Sequence, residues 1–212
     1  CENGGGIWQK DLEEKGFSRN TIIGLIRKGR ANREKRIYIK KQTSFCIDNN
    51  SNTIHENSPQ RLTSEQEKAI EVFKSLGDGE SMLLWGVTGS GKTEVYLQLA
   101  KSVISSGKSC LILAPEIGLI PQLVDRFRSR FGEKVFEYHS GCTPKYRVNT
   151  WRKARNTSSP LIIIGTRSAV FIPLNPLGLI VVDEEHDSSY KQDSPMPCYN
   201  AKDLALNRAK RN

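Results

Sequence analysis

The pattern of apolar and polar positions in the second half of the chain predicts alternating strands and helices. Helical patterns, such as that of residues 119–131, separate short continuous apolar runs. The runs cover residues 81–85, 110–114, 135–138, 161–164 and 179–182. Runs of this length suit strands buried on both faces, so the pattern predicts an α/β domain with a parallel sheet between helices. Ligands of such sheets bind at the carboxyl ends of the strands.

Two amphipathic helices flank the first of these runs. The later helix has an apolar stripe that includes Tyr96, and it ends before Gly107. The earlier helix begins near residue 62, and Gln66 in its first turn has two interpretations. Thr63 and Gln66 have the spacing of a capping box, in which the glutamine closes the start of the helix. Alternatively, the Gln66 amide hydrogen-bonds the edge of an adenine ring.

The sequence pattern of residues 1–43 predicts a small domain with the fold of a partial winged helix. Residues 8–15 have a helical pattern, Gly16 ends it, and Ser18 is a good N-cap for a second helix over residues 19–28. A basic segment with strand-like alternation then covers residues 33–41. Helix, turn, helix and ribbon in this order are typical of a winged-helix module.

Positive charge is concentrated in this first domain. Residues 1–41 contain 11 Lys and Arg against five Asp and Glu, which is +6 of the formal net charge of +9. Such an excess at one end predicts contact with an anion. In a winged helix the second helix or the ribbon meets DNA, so Arg19 and Lys28 are candidate DNA contacts. A helical adaptor with solvated charges is the alternative.

Composition bounds the rest of the chain. Residues 44–60 are rich in Ser and Asn and predict a linker before a domain over residues 61–212. No apolar run approaches the length of a membrane-spanning helix and no secretory signal is present, so we expect a cytoplasmic protein without a membrane partner. The five cysteines form no C-x-x-C pair, which indicates neither a zinc site nor a disulfide framework. Because the chain begins with Cys1, we expect it to be a piece of a longer protein.

Residues 86–93, GVTGSGKT, match the P-loop pattern G-x-x-x-x-G-K-[ST] between a predicted strand and a predicted helix. Backbone N–H groups of such a loop converge on phosphate oxygens, and the helix adds the positive end of its dipole. Lys92 is predicted to reach the β- and γ-phosphates, and the Thr93 hydroxyl to bind Mg²⁺. The predicted nucleotide-binding residues are Gly86, Val87, Thr88, Gly89, Ser90, Gly91, Lys92 and Thr93, with Gln66 as a further candidate.

An acidic sequence, Asp183-Glu184-Glu185-His186, follows the last apolar run. A carboxylate at a strand tip suits Asp183 as a residue that holds Mg²⁺ through water, opposite Thr93. Glu184 is the candidate to orient and deprotonate the attacking water, since phosphoryl transfer otherwise needs mainly positioning and neutralised charge. An acidic loop facing solvent is the alternative. His186 is either a hydrogen-bonding spacer or a lever between the nucleotide and another ligand.

Four segments together resemble one family. They are GVTGSGKTE from Gly86, APEIGLIPQ from Ala114, GTRSAVFIPL from Gly165 and VVDEEHDSSYKQ from Val181. They resemble the first helicase lobe of PriA-type replication-restart DNA helicases, the primosomal protein N′ family, and DEEH followed by SSYKQ is more specific than the P-loop. The resemblance covers residues 61–212 and implies a RecA-like P-loop NTPase lobe of superfamily 2. Residues 1–43 resemble, more weakly, the winged helix of that family.

The resemblance implies contacts with DNA. In the family the APE and GTRS segments line a groove for single-stranded DNA, and the region after DEEH is an aromatic-rich loop that couples DNA binding to hydrolysis. For Arg167 an internal pair with an acid is the alternative. Cys198 and Lys202 stand where arginine is common in the family. The implied DNA contacts are Thr166, Arg167, Ser168, Tyr190, Lys191 and Tyr199.

The resemblance also implies segments that this chain lacks. Relatives next place a strand with an SAT-type motif, which sits in the sheet between the P-loop strand and the DEEH strand. They add a second lobe with an arginine finger and a cysteine-rich zinc region, so zinc is expected in the full-length family member but not in this chain. We expect the isolated chain to be catalytically incomplete.

These observations predict part of a bacterial enzyme that uses ATP and Mg²⁺ to move on single-stranded and forked DNA during primosome assembly at stalled forks. The resemblance implies 3′ to 5′ movement, with primosome proteins and single-stranded DNA-binding protein as partners. One alternative is another superfamily 2 DNA translocase, such as a restriction motor subunit. The other is a DNA-binding module with a silent nucleotide pocket.

Overall fold

The structure is a computed structural model that describes residues 12–13, 15–31, 62–87 and 89–211. The chain divides into two units, residues 1–48 and residues 49–212. Within the described residues, no helix is both long and apolar enough to span a bilayer.

The first unit contains helix α1, Arg19–Arg27. Ser18 is its N-cap, as predicted, and its hydroxyl accepts a hydrogen bond from the Thr21 amide at 3.2 Å. Ile22 is buried, and the helix ends one residue before the predicted Lys28. The predicted ribbon over residues 33–41, most of the predicted first helix and the predicted linker lie outside the described residues. The winged helix therefore stays a prediction.

The second unit has a four-stranded parallel sheet with the strand order β2-β3-β1-β4. Its strands are β1 (Ser109–Leu113), β2 (Val135–Tyr138), β3 (Ile162–Gly165) and β4 (Leu177–Val182). Each strand overlaps a predicted apolar run, and β2 matches its run to the residue. A separate antiparallel pair, β5 (Lys191–Gln192) and β6 (Tyr199–Asn200), lies beyond β4 in the sequence.

In the described part of the second unit, five α-helices accompany the sheet, and they cover both of its faces as predicted. They are α2 (Ser64–Ser75), α3 (Lys92–Ser105), α4 (Ile120–Phe131), α5 (Pro144–Asn156) and α6 (Ala201–Ala209). Alternate residues of β1 enter two different cores, because successive side chains of a strand point to opposite faces. Cys110 and Ile112 pack with α2, α3 and α4, whereas Leu111 and Leu113 pack with α5 and α6.

The prediction of a strand over residues 81–85 is wrong for this structure. The segment has no regular secondary structure and belongs to neither sheet. Its exposure alternates as in a strand, since Met82 and Leu84 are half-buried while Leu83 and Trp85 are 65% and 89% exposed. A cleft of about 1100 Å³ is lined by this segment and by the edge strand β4. Among the residues that the structure describes, no strand lies between this segment and β4, so the segment forms no ladder despite its apolar sequence.

Candidate nucleotide site and nucleic-acid interface

The P-loop precedes α3 and has the backbone that the motif requires. Gly89 and Gly91 have φ values of 84° and 83°, which residues with a Cβ rarely adopt. A Cβ on Gly86 would lie 2.7 Å from the Ser90 hydroxyl oxygen, so the loop also needs glycine there. Thr88 lies outside the described residues.

The start of α3 is open to an anion. Its N-cap is Gly91, which offers no side chain to the first amides of the helix. Those N–H groups and the helix dipole together favour a phosphate group. Lys92 and Thr93 are the first two residues of α3, so the predicted phosphate and magnesium ligands both lie at this end. The residues present therefore fit the phosphates of a nucleoside triphosphate.

Gln66 forms the capping box that its spacing predicted. Its side-chain Oε1 accepts a hydrogen bond from the backbone N–H of Thr63 at 3.0 Å, and its backbone N–H donates to the Thr63 hydroxyl at 3.3 Å. Its Nε2 also donates to the carbonyls of Ser90 and Gly91, at 3.4 and 3.5 Å. Gln66 thus links α2 to the P-loop, while its contact with adenine stays a prediction.

Lys92 connects the P-loop to the acidic sequence after β4. Its Nζ donates to the Gly86 carbonyl at 2.8 Å and lies 3.3 Å from Oε1 of Glu184. Both side chains are partly shielded, at 18% and 33% exposure. The two motifs are therefore neighbours at the carboxyl ends of the strands, and Glu184 is not part of an acidic loop that faces only solvent.

Asp183 is held from two sides. Its amide donates to the Leu113 carbonyl at 2.9 Å, which extends the ladder between β1 and β4, and its Oδ1 accepts a hydrogen bond from the Tyr96 hydroxyl at 3.2 Å. Burial raises the pKa of Asp183, and the Tyr96 hydrogen bond opposes this effect; the charge of Glu184 raises the pKa further and that of Lys92 lowers it. Asp183 is thus a shielded carboxylate beside the first turn of α3, a suitable ligand for Mg²⁺ with Thr93.

Glu184 has an unusual backbone conformation. Its φ is 45°, and it alone has a positive φ among the described residues other than glycine. The Glu184 carbonyl accepts a hydrogen bond from the Asp187 amide at 3.0 Å, which closes a turn after β4. Strain of this kind occurs mostly at functional sites.

His186 is 77% exposed, with Nδ1 3.9 Å from Oε2 of Glu184, and its role stays a prediction.

Arg167 organises the predicted DNA segments. Its Nη1 donates to the carbonyls of Ser189 and Lys191, at 3.3 and 3.0 Å. The Ser189 hydroxyl in turn donates to the Pro115 carbonyl at 2.9 Å. The APE segment, the GTRS segment and the region after DEEH are therefore adjacent, as the resemblance implied. The described contacts of Arg167 are with backbone carbonyls rather than with an acid.

Tyr190 does not fit its predicted role as a stacking platform. It is only 2% exposed, and its hydroxyl donates to the carbonyls of Leu113 and Asp183. A ring enclosed in this way cannot stack on a base, so the prediction of a direct DNA contact is wrong for Tyr190 in this structure. The side chain instead fixes the end of β4 against β1.

Tyr199 and Lys191 remain accessible for a ligand. Tyr199 is half-buried and packs edge-on against Phe171, with ring centroids 5.0 Å apart, and Phe171 is 56% exposed. Lys191 is exposed and forms an ion pair with Asp193 at 3.0 Å. Thr166 and Ser168 are both half-buried beside Arg167. In the first unit, Arg19 and Lys28 are exposed at the two ends of α1.

A second cluster of polar side chains follows β2. Donor atoms of Glu137, His139 and Cys142 all lie within 4.8 Å of one another. Nδ1 of His139 accepts a hydrogen bond from the Gly141 amide at 3.2 Å, so the neutral ring has its proton on Nε2, facing Glu137 at 3.4 Å. This tautomer leaves no lone pair for a metal, and burial raises the pKa of the Cys142 thiol. The cluster is accounted for as a hydrogen-bonded network.

Sequence patterns did not identify three contributors to this site. Tyr96 was assigned only to an apolar stripe, although a position four residues after Lys92 puts it on the same helix face. Glu94, the residue after Thr93, forms a bidentate ion pair with Arg130 of α4, at 2.8 and 2.7 Å. Phe171 extends the aromatic surface of Tyr199. Only Tyr96 had a signal in the sequence, its spacing from Lys92.

Comparisons with known proteins agree with this geometry. The family described as DEAD/DEAH box helicase matches residues 63–202. The replication restart protein PriA of Synechocystis sp. is 45% identical over 210 residues, which is 97% of this chain and 24% of that protein. PriA of Bacillus subtilis is 47% identical over 154 residues, 71% of this chain and 19% of that protein. The chain thus spans about a quarter or less of the relatives named. It is a homologue of these replication restart proteins and belongs to the DEAD/DEAH box helicase family.

Proposed function

We propose that this chain is part of an ATP-dependent DNA helicase that acts in replication restart, where it moves along single-stranded DNA at forks. The observation that supports the proposal most is the proximity of its two motifs: Lys92 of the P-loop lies 3.3 Å from Glu184 of DEEH. The names of the bacterial relatives support replication restart as the process. A cytoplasmic location and primosome partners belong to the same proposal.

The residues of the site have separable roles in this proposal. Lys92 and the amides at the start of α3 hold the phosphates, while Thr93 and Asp183 hold Mg²⁺. The bound Mg²⁺ and ATP supply a γ-phosphoryl group with its negative charge partly neutralised. The Glu184 carboxylate accepts a proton from water and exchanges its contact with Lys92 for this role. Tyr96 keeps Asp183 in place through its hydroxyl.

Coupling to DNA follows from the backbone contacts of the region after DEEH. Arg167 binds the carbonyls of Ser189 and Lys191, and Tyr190 between them donates to the Asp183 carbonyl. A strand of DNA that displaces this segment therefore acts directly on the residue proposed to hold magnesium. Tyr199 and Phe171 present the accessible aromatic surface, which suits stacking without sequence preference.

The test measures ATP hydrolysis with and without single-stranded DNA in a longer protein that contains this chain, because the isolated chain is expected to be catalytically incomplete. We expect DNA to stimulate turnover, and Lys92→Ala to abolish it because the phosphates lose their cationic partner. Lys101→Ala is the matched control, because it removes the same charge from an exposed position of the same helix. Equal turnover with and without DNA, or equal effects of the two variants, would contradict the proposal.

A DNA-binding module with a silent nucleotide pocket is a second candidate. It is favoured by the existing contacts of Lys92, whose Nζ is engaged with Gly86 and Glu184 in this structure. Titration of a fluorescent ATP analogue distinguishes the two candidates. Saturable, Mg²⁺-dependent binding that is lost in Lys92→Ala supports the helicase proposal, whereas no saturable binding supports the silent module.

A further inference from the structure

The exposed side of α5 has a high density of positive charge. At about 100° per residue, four cations fall within one arc of roughly 160°, with the amides of Asn149 and Asn156 between them. Three of the four cations are exposed and Arg152 is half-buried. The helix contains no acidic residue over its 13 positions. These four cations, the basic face of α5, are Lys145, Arg152, Lys153 and Arg155.

Helix stability does not account for this arrangement. Cations in the last turn interact favourably with the helix dipole, which explains Lys153 and Arg155. Lys145 lies in the first turn, where the dipole disfavours a cation, and no acid is present there to compensate. Lys145 therefore opposes the helix dipole, so helix stability does not explain a cation at this position.

The basic face is also free to accept an anion. Among the described residues, no carboxylate lies within ion-pair distance of its four cations, whereas Arg128 and Arg130 of α4 are paired with Glu137 and Glu94. Two of the four side chains are steadied by aromatic rings of the protein. Lys153 Nζ lies 4.2 Å from the centroid of Phe136, and the Arg155 guanidinium lies 5.6 Å from that of Trp151. Ordering these side chains for a ligand therefore costs less entropy.

The chemistry of the face favours the backbone of duplex DNA. Val148 is its exposed large apolar side chain, and the Arg155 guanidinium lies over the ring of the half-buried Trp151, so the face presents charge rather than an open aromatic ring. Lys145 and Arg155 are separated by about 15 Å along the helix, the axial length of roughly four base pairs. A rigid band of cations of this length matches the regularly spaced phosphates of a duplex better than those of a flexible strand.

We infer that the basic face of α5 binds the phosphate backbone of duplex DNA, apart from the segments proposed to contact single-stranded DNA. The inference rests on the proposed function and adds a second contact for the double-stranded arm of a fork. It predicts binding without sequence preference, because phosphates contain no base information.

The test uses fluorescence anisotropy with a labelled blunt duplex over a range of salt concentrations. In the variant Lys145→Gln/Arg152→Gln/Arg155→Gln we expect affinity at low salt to fall about tenfold or more. The slope of log affinity against log salt should become shallower by about 2 to 3, since each lost phosphate contact removes about 0.9. Circular dichroism checks that the variant keeps its helices.

The matched control is Lys68→Gln/Lys74→Gln/Lys101→Gln, which removes the same charge from exposed positions of α2 and α3. An equal loss in both variants, or an unchanged salt slope in the α5 variant, would overturn the inference. In a longer protein that contains this chain, hydrolysis stimulated by a single-stranded oligonucleotide should be the same with and without the α5 substitutions. A failure of the proposed function would instead remove that stimulation from the unmodified longer protein, whatever the duplex result.

Discussion

Asp183 shows how a single residue serves both the sheet and the candidate nucleotide site. Its backbone amide belongs to the ladder with β1, and its carboxylate is shielded beside α3. The burial that raises its pKa also removes water that would compete for a metal ion. The same residue therefore contributes binding chemistry at some expense of stability, a balance that can be measured.

The Tyr96 hydroxyl should matter most under acidic conditions. Its hydrogen bond lowers the pKa of Asp183, so in a longer protein that contains this chain Tyr96→Phe should move the acid limb of the ATPase pH profile to higher pH. The loss at acidic pH should reach about tenfold, since a hydrogen bond to a charged group contributes roughly 1.5 kcal/mol, and should shrink as pH rises. Tyr138→Phe, which removes a hydroxyl from β2, is the control. A uniform loss at all pH values would show a purely structural role.

The stability of the chain should also depend on Asp183. A carboxyl group with a pKa raised by folding contributes stability below its ordinary pKa, and this contribution is lost as pH rises through the raised value. Asp183→Asn removes this titration, so the stability of the variant relative to the unmodified chain should rise as pH increases above about 4. Urea unfolding at a series of pH values measures the difference. Asp125→Asn, at an exposed position of α4, should show no such pH-dependent gain.

The role of an individual side chain was harder to predict than its location. The P-loop pattern and the strand-tip rule placed Lys92 and Glu184 at the same edge, and the structure confirms that proximity. Neither rule specifies a hydrogen-bond partner. Arg167 binds carbonyls 22 and 24 residues away, and Tyr190 binds one 77 residues away, and these contacts exist only after the sheet has formed.

At the scale of elements, the ion pair between Glu94 and Arg130 joins the P-loop helix to α4. Both side chains are shielded, at 12% and 15% exposure, and Gln98 also donates to Glu94 at 2.8 Å. Such a pair fixes the direction in which α3 leaves the P-loop. It also creates a liability, because either charge alone would be buried without a partner.

Arg130→Met should therefore destabilise the chain by about 3 kcal/mol, since removal of one partner leaves the Glu94 carboxylate uncompensated. Adding Glu94→Gln should recover most of that loss. The free energy of unfolding in urea measures both variants. Arg126→Met, at an exposed position of the same helix, should change it by less than about 0.5 kcal/mol. Equal destabilisation by the single and double variants would mean that packing, rather than charge, sets the effect.

Element boundaries followed from local sequence where the partner strand is present. Apolar runs identified β1 to β4 because each is paired and buried. The run over residues 81–85 is similarly apolar, yet in this structure it forms no hydrogen-bonded ladder with a strand. A strand is defined by its neighbour as well as by its own residues, and no sequence pattern within the run indicates whether that neighbour is present.

At the scale of the whole molecule, the cleft between residues 81–87 and β4 leaves one edge of the sheet open. The Asp183 amide bonds to β1, so in a parallel ladder the amides of Gly178, Ile180 and Val182 point the other way, towards the cleft. If the strand implied by the resemblance belongs there, a longer chain should protect these amides from hydrogen exchange. The unmodified 212-residue chain should exchange them faster than the amides of β1 and β3.

The open edge also predicts how the isolated chain behaves as its concentration rises. An unpaired strand beside exposed Leu83, Trp85 and Val87 is a template for another copy, so we expect concentration-dependent self-association in sedimentation velocity. Leu83→Lys/Trp85→Lys should reduce it, and Lys68→Gln should not. Persistence of a single species at every concentration would contradict the expectation. Self-association through this edge would make the cleft matter for handling as well as for catalysis, because only dilute solution or a soluble fusion partner would keep the chain monomeric during purification.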